Sequence, residues 1–141
     1  MHHLVTGQEQ EGVPMRWYVL AGLLAWLVAT ILLRVVGHIF FATSLALVLT
    51  FVVTGVILVL ILLLLFVRAR MDPVRRIRVA LSLALPGMLF DIFSVTFVAT
   101  VFPNIPPTAY AALAGCLLWA YSLVLLSALV PLPTRSPFAE E

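Results

Sequence analysis

Residues 45–67 read LALVLTFVVTGVILVLILLLLFV, an apolar run without a single charged side chain. A helix needs about 20 such residues to cross a hydrocarbon core of roughly 30 Å. Valine and isoleucine are abundant here, which in a soluble chain would favour a buried strand. The length of the run and the lack of period-two alternation favour a helix, because in lipid a segment must satisfy its own backbone N–H and C=O groups.

Three more runs of this kind complete the pattern. The expected spans are 17–38 (reaching Phe41 if the following turn is tight), 43–67, 79–102 and 109–130. The chain is 64% hydrophobic and 10% charged, with a mean hydropathy of +1.20. A soluble domain of this length could not hide so much apolar surface, so lipid is the expected solvent. The joints between spans one and two and between three and four are short, which makes consecutive helices antiparallel. The expected fold is therefore all-α, an integral membrane up-down four-helix bundle. It occupies 15–131, between a polar flexible tail at 1–14 and a second tail at 132–141. The first span is too long for a secretory signal, and Arg34 and His38 stand where a small-residue cleavage site would be, so it is read as retained.

Charge placement orients the bundle. All eight basic residues are arginine, and Arg68, Arg70, Arg75, Arg76 and Arg78 fall together between spans two and three. The positive-inside rule puts that loop in the cytoplasm. Both termini follow it, in agreement with Arg16 and Arg135 beside the first and last spans. These loop arginines are read as topology charges able to touch lipid head groups. Asp72-Pro73 reads as an N-cap followed by proline at the first helical position.

One carboxylate interrupts the apolar pattern. Asp91 lies near the middle of span three, where a charge costs roughly 3 kcal/mol on insertion scales. One turn earlier, Pro86 and Gly87 predict a helix kink, and Gly87, Asp91 and Ser94 share one side of the helix. In span one, Thr30, Arg34 and His38 recur every four residues on a common face. Counted from the outer helix ends, Arg34 and Asp91 differ in depth by only about 6 Å, so Arg34 is the expected counter-charge. If span one ends at Val36 instead, Arg34 snorkels outward. Two readings of the cluster stand side by side: an ion pair that fixes helices one and three, and an outward-facing polar pocket walled by Arg34, His38 and Asp91. In span four, Trp119 and Tyr121 lie too deep for the interfacial belt and are expected to turn their polar tips inward, with the Asp91 region within reach of Tyr121. Cys116 has no partner cysteine and reads as a small packing residue.

Catalytic signatures are missing from the sequence. It has no paired carboxylates, no Ser-His-Asp candidate, no phosphate-binding glycine loop and no His/Asp/Glu metal set, so no enzyme activity, metal or cofactor is expected. His2 and His3 make no such set. The arginine loop lacks interleaved aromatics, so no nucleic acid is expected either.

Leu85-Pro86-Gly87-Met88-Leu89-Phe90-Asp91, Val101-Phe102-Pro103-Asn104 and Leu118-Trp119-Ala120-Tyr121 resemble a family of small bacterial four-span proteins of unknown function. Trp26-Leu27-Val28-Ala29-Thr30 and Arg34 share the resemblance, which spans about 16–131. It implies a protein of the bacterial inner membrane and brings no activity with it. The small multidrug exporters are similar in size only, since their acid lies in the first helix. The leading expectation is a non-enzymatic accessory or interaction subunit, working as a homodimer or beside a larger membrane partner. The alternative is a small proton- or solute-linked transporter that uses Asp91, Arg34 and His38.

Overall fold

Each apolar run is helical in the computed structural model, which describes residues 13–131. The second tail, Arg135, His2, His3 and most of the first tail lie outside the described residues. α1 spans Met15–Phe40 and α2 spans Ser44–Arg68. The turn between them ends at Thr43, whose hydroxyl oxygen accepts from the Ala46 N–H at 3.1 Å and caps α2. α1 thus takes the longer of its two expected lengths, and Arg34 lies inside it.

α2 closes with a left-handed residue, Arg70, at φ 47°. The N–H of Met71 reaches the Phe66 carbonyl at 3.2 Å, and the N–H of Arg70 reaches Val67 at 3.2 Å. These bonds form a Schellman motif, with Phe66 and Met71 both buried beneath it. α3 spans Pro73–Thr96 and starts at the expected cap, where Asp72 Oδ2 accepts from the Arg75 N–H at 3.1 Å.

The third span carries an interruption that its proline does not mark. α3 is helical straight through Pro86 and Gly87, and the interruption falls at Phe97, before the short α4 at Val98–Val101. Ser94 and Thr96 each donate a hydroxyl to the carbonyl one turn earlier, Phe90 and Ile92. Such back-bonding competes with the helix ladder and bends it. A 3-10 turn, Pro107–Ala109, then leads into α5 at Tyr110–Ser127. Four segments, the last counted from Pro107 to Ser127, are long and apolar enough to cross a membrane, a pattern that suggests a membrane protein.

Consecutive helices run antiparallel, yet they are not the closest neighbours. The most extensive packing joins α1 to α3 and α2 to α5, followed by α3 with α5, while α1 and α2 touch little. Trp26 faces Asp91, and Arg34 faces Val101, at sequence separations of 65 and 67. A constant offset of this kind means that α1 and α3 run parallel. Phe51 with Trp119 and Gly55 with Leu123, both separated by 68, do the same for α2 and α5. The bundle is thus two helical hairpins laid side by side, with ring order α1, α3, α5, α2. Short links fix direction, but close packing goes to whichever pair has matching small residues.

The small residue that matters most is Gly22. A Cβ built there would collide with the backbone of Leu83, so α1 and α3 touch main chain to main chain. Two apolar clusters fill the ends of the bundle. Tyr18, Leu62, Phe66, Val79 and Ala128 pack at the arginine-rich end, and Phe41, Phe102, Ile105, Leu113 and Cys116 at the other.

Replacing Gly22 by alanine is expected to cost about 1–3 kcal/mol, the usual range for overpacking. Gly115→Ala should be tolerated, because the nearest atom, Phe51 Cζ, lies 3.8 Å from the added Cβ. Thermal unfolding of both variants in detergent checks the contrast.

Candidate functional site

Between the two apolar clusters lies a polar layer built from three helices. Asp91 is buried at 7% exposure, on the side of α3 that also buries Gly87 and Ser94. The Trp26 Nε1–H of α1 donates to Asp91 Oδ1 at 2.8 Å. The Tyr121 hydroxyl of α5 donates to Oδ2 at 2.5 Å. Phe90 stacks obliquely on Trp26, with ring centroids 4.8 Å apart. Gly87 makes the second bond feasible, because a Cβ there would lie 2.7 Å from the Tyr121 hydroxyl.

The expected Arg34–Asp91 ion pair is not formed. Arg34 lies two turns beyond Trp26 along α1, roughly 12 Å at the helical rise. Its Nη1 donates instead to the carbonyls of Thr100 and Val101, at 3.0 and 2.7 Å. Those are the last carbonyls of α4, which have no partner within the helix. Reckoning depth from the helix ends placed Arg34 too close to Asp91, because α1 and α3 are in register through Trp26 and Asp91. Thr30 is half-buried on the same stripe of α1, and His38 is exposed one turn past Arg34. Neither is a partner of Asp91. Ser94 is buried beside Asp91, but its hydroxyl donates to the Phe90 carbonyl at 3.2 Å.

Arg76 also departs from its expected role. It is only 4% exposed, so it is no head-group contact. Its Nη1 donates to the Val130 carbonyl at 2.6 Å, just past the end of α5, while its buried Nε has no hydrogen-bond partner. Arg68, Arg70 and Arg78 are exposed and Arg75 is half-buried.

Trp26 stood in the sequence only among the residues of the family resemblance, and its role as a partner of Asp91 was missed. It extends the four-residue stripe of Thr30, Arg34 and His38 by one further step, and that periodicity was the available signal. Tyr121 does turn inward to Asp91. Trp119 turns toward α2, where its Nε1–H meets the Phe51 carbonyl at 3.2 Å. Beside it, an apolar groove between α2 and α5 is lined by Phe51, Gly55, Val59, Trp119 and Leu123.

A family model described as "family of unknown function (DUF5367)" matches residues 39–133. The chain belongs to that family. No curated protein and no solved structure matches it. The DUF5367 match takes in α2 to α5, including Asp91 and Tyr121. Trp26 and Arg34, which serve the same layer and the α4 end, lie ahead of the matched stretch.

A double-mutant cycle separates the observed partners from the expected one. Asp91→Asn combined with Tyr121→Phe should show a coupling between about 0.5 and 3 kcal/mol, as groups in contact do. Asp91→Asn combined with Arg34→Gln should be additive within about 0.5 kcal/mol. Equilibrium unfolding in mixed micelles supplies the four free energies of each cycle.

Proposed function

We propose that this is a multi-pass protein of the bacterial inner membrane and that it acts as a non-enzymatic accessory or interaction subunit. The arginine-rich end, with both termini, faces the cytoplasm, as the positive-inside rule directs. The observation that carries this reading is the state of Asp91. Each carboxylate oxygen is taken by a side chain from a different helix, Trp26 of α1 and Tyr121 of α5. A carboxylate so engaged clasps helices together; a transport site needs one free to exchange its partner for a proton or solute. The transporter alternative also needs Arg34 and His38 on the same wall as Asp91, and Arg34 is bonded elsewhere. The broad apolar faces of α1 and α2 remain available to a membrane partner.

Two measurements, one on protein extracted from its native membrane and one after reconstitution, test this reading. Solubilised in mild detergent, the protein should migrate in an assembly larger than one chain, and Asp91→Asn should release it by loosening the bundle. Reconstituted in liposomes with a pH gradient, it should add no proton flux above that of empty vesicles. A single-chain particle with Asp91-dependent flux would establish the transporter and end the subunit reading.

A further inference from the structure

The basic end of the bundle is not uniformly basic in what its arginines do. Arg76 is withdrawn into the packing, Arg68 is the last residue of α2, and Arg70 lies in the link from α2 to α3. What remains is the seam where α1 begins beside α3. There the Arg75 Nη2 donates to the Val13 carbonyl at 3.3 Å, which draws its guanidinium over the start of α1. Ser82 faces Met15 across the same seam, with Oγ 3.9 Å from the sulfur. Positions 75, 78 and 82 follow helical spacing, so Arg78 shares this edge of α3 with Arg75. Arg16 lies in the first turn of α1, exposed.

No acid answers these three cations among the described residues. The first turn of α1 has no acidic side chain and no side-chain cap. Among the described residues, the acid at this end of the bundle is Asp72, and its Oδ2 is turned into the cap of α3. Further along both helices, away from the loop, the surface becomes apolar: Trp17 and Leu20 on α1 are 55% and 51% exposed, and Leu81 and Leu85 on α3 are 39% and 50% exposed. A soluble anion would use the cations alone. A phospholipid uses both features at once, with its phosphate among the guanidinium groups and its acyl chains along the apolar flank.

We infer that Arg16, Arg75 and Arg78 form a binding site for the phosphate of an anionic phospholipid at the α1–α3 seam. The inference rests on the membrane-spanning reading above and narrows the basic loop to three residues, one of them outside that loop. Juxtamembrane cations attract anionic lipid with an energy that corresponds to about fivefold in affinity for each arginine, and added salt weakens the attraction.

The test uses the full chain reconstituted in vesicles of phosphatidylglycerol and phosphatidylcholine, extracted in mild detergent and scored for retained lipid. Wild type should retain phosphatidylglycerol well above its bulk ratio. Arg16→Gln/Arg75→Gln/Arg78→Gln should return to the bulk ratio, with its unfolding temperature kept within a few degrees. Arg68→Gln/Arg70→Gln should behave as wild type. Retention at the bulk ratio in wild type overturns the site, as does an equal loss in the Arg68/Arg70 variant. Full displacement of phosphatidylglycerol by inorganic phosphate assigns the seam to free anions and overturns the lipid. A chain that retains neither lipid and leaves the vesicles under alkaline extraction fails the membrane-spanning reading instead, a separate outcome.

Discussion

A single carboxylate placed among apolar side chains sets the arrangement of this bundle. Asp91 costs roughly 3 kcal/mol where it stands, and hydrogen bonds to a charged group return about 1.5–3 kcal/mol each. The two donors together therefore offset the insertion cost. An arginine partner would have added a second buried charge with its own desolvation penalty. Trp26 and Tyr121 bring a polar tip on a ring that is itself content in an apolar layer. Because they come from α1 and α5, satisfying Asp91 aligns three helices at one level. The ring order α1, α3, α5, α2 follows from that, since α3 must have both donors as neighbours.

A related requirement, that carbonyls left over at helix ends find donors, explains where Arg34 and Arg76 point. Arg34 covers the last carbonyls of α4, and Arg76 reaches the carbonyl of Val130 beyond α5. Cations suit helix C-termini because the unpaired carbonyls there are the negative end of the helix dipole. They act at opposite ends of the second hairpin. One is supplied by α1, the other from within the hairpin itself.

The spans, the antiparallel links and the Asp72-Pro73 cap were legible in the sequence, because each depends on local residue type and run length. Asp91 was legible as an anomaly, and Tyr121 as an inward-turned polar tip. The partners were not, for a definite reason. Which residue meets Asp91 depends on the register of α1 against α3, and register is fixed by contacts such as Gly22 against Leu83 that leave no periodic trace. Opposite charges on two helices are also a misleading guide in lipid, where a guanidinium is better spent on backbone carbonyls near a helix end than on a carboxylate at mid-depth. The interruption at Phe97 was hidden likewise. It follows the back-bonded hydroxyls of Ser94 and Thr96, which are common in helices and carry no clear break signal.

α1 shows how little area such a bundle needs. It buries only Tyr18, Gly22 and Gly37, and between helices in lipid there is no hydrophobic force to hold it, since acyl chains are as apolar as its leucines. It is held by points: backbone contact at Gly22, the Trp26 bond to Asp91, and the Arg34 bonds to α4. Each bond satisfies a polar group of the second hairpin. Without α1, Tyr121 would still reach Asp91, but Oδ1 of the carboxylate and the carbonyls of Thr100 and Val101 would lose their donors. An apolar helix of equal length could not replace it. The family match begins at residue 39, after these donors, so it covers the groups that need satisfying and leaves out the helix that satisfies them.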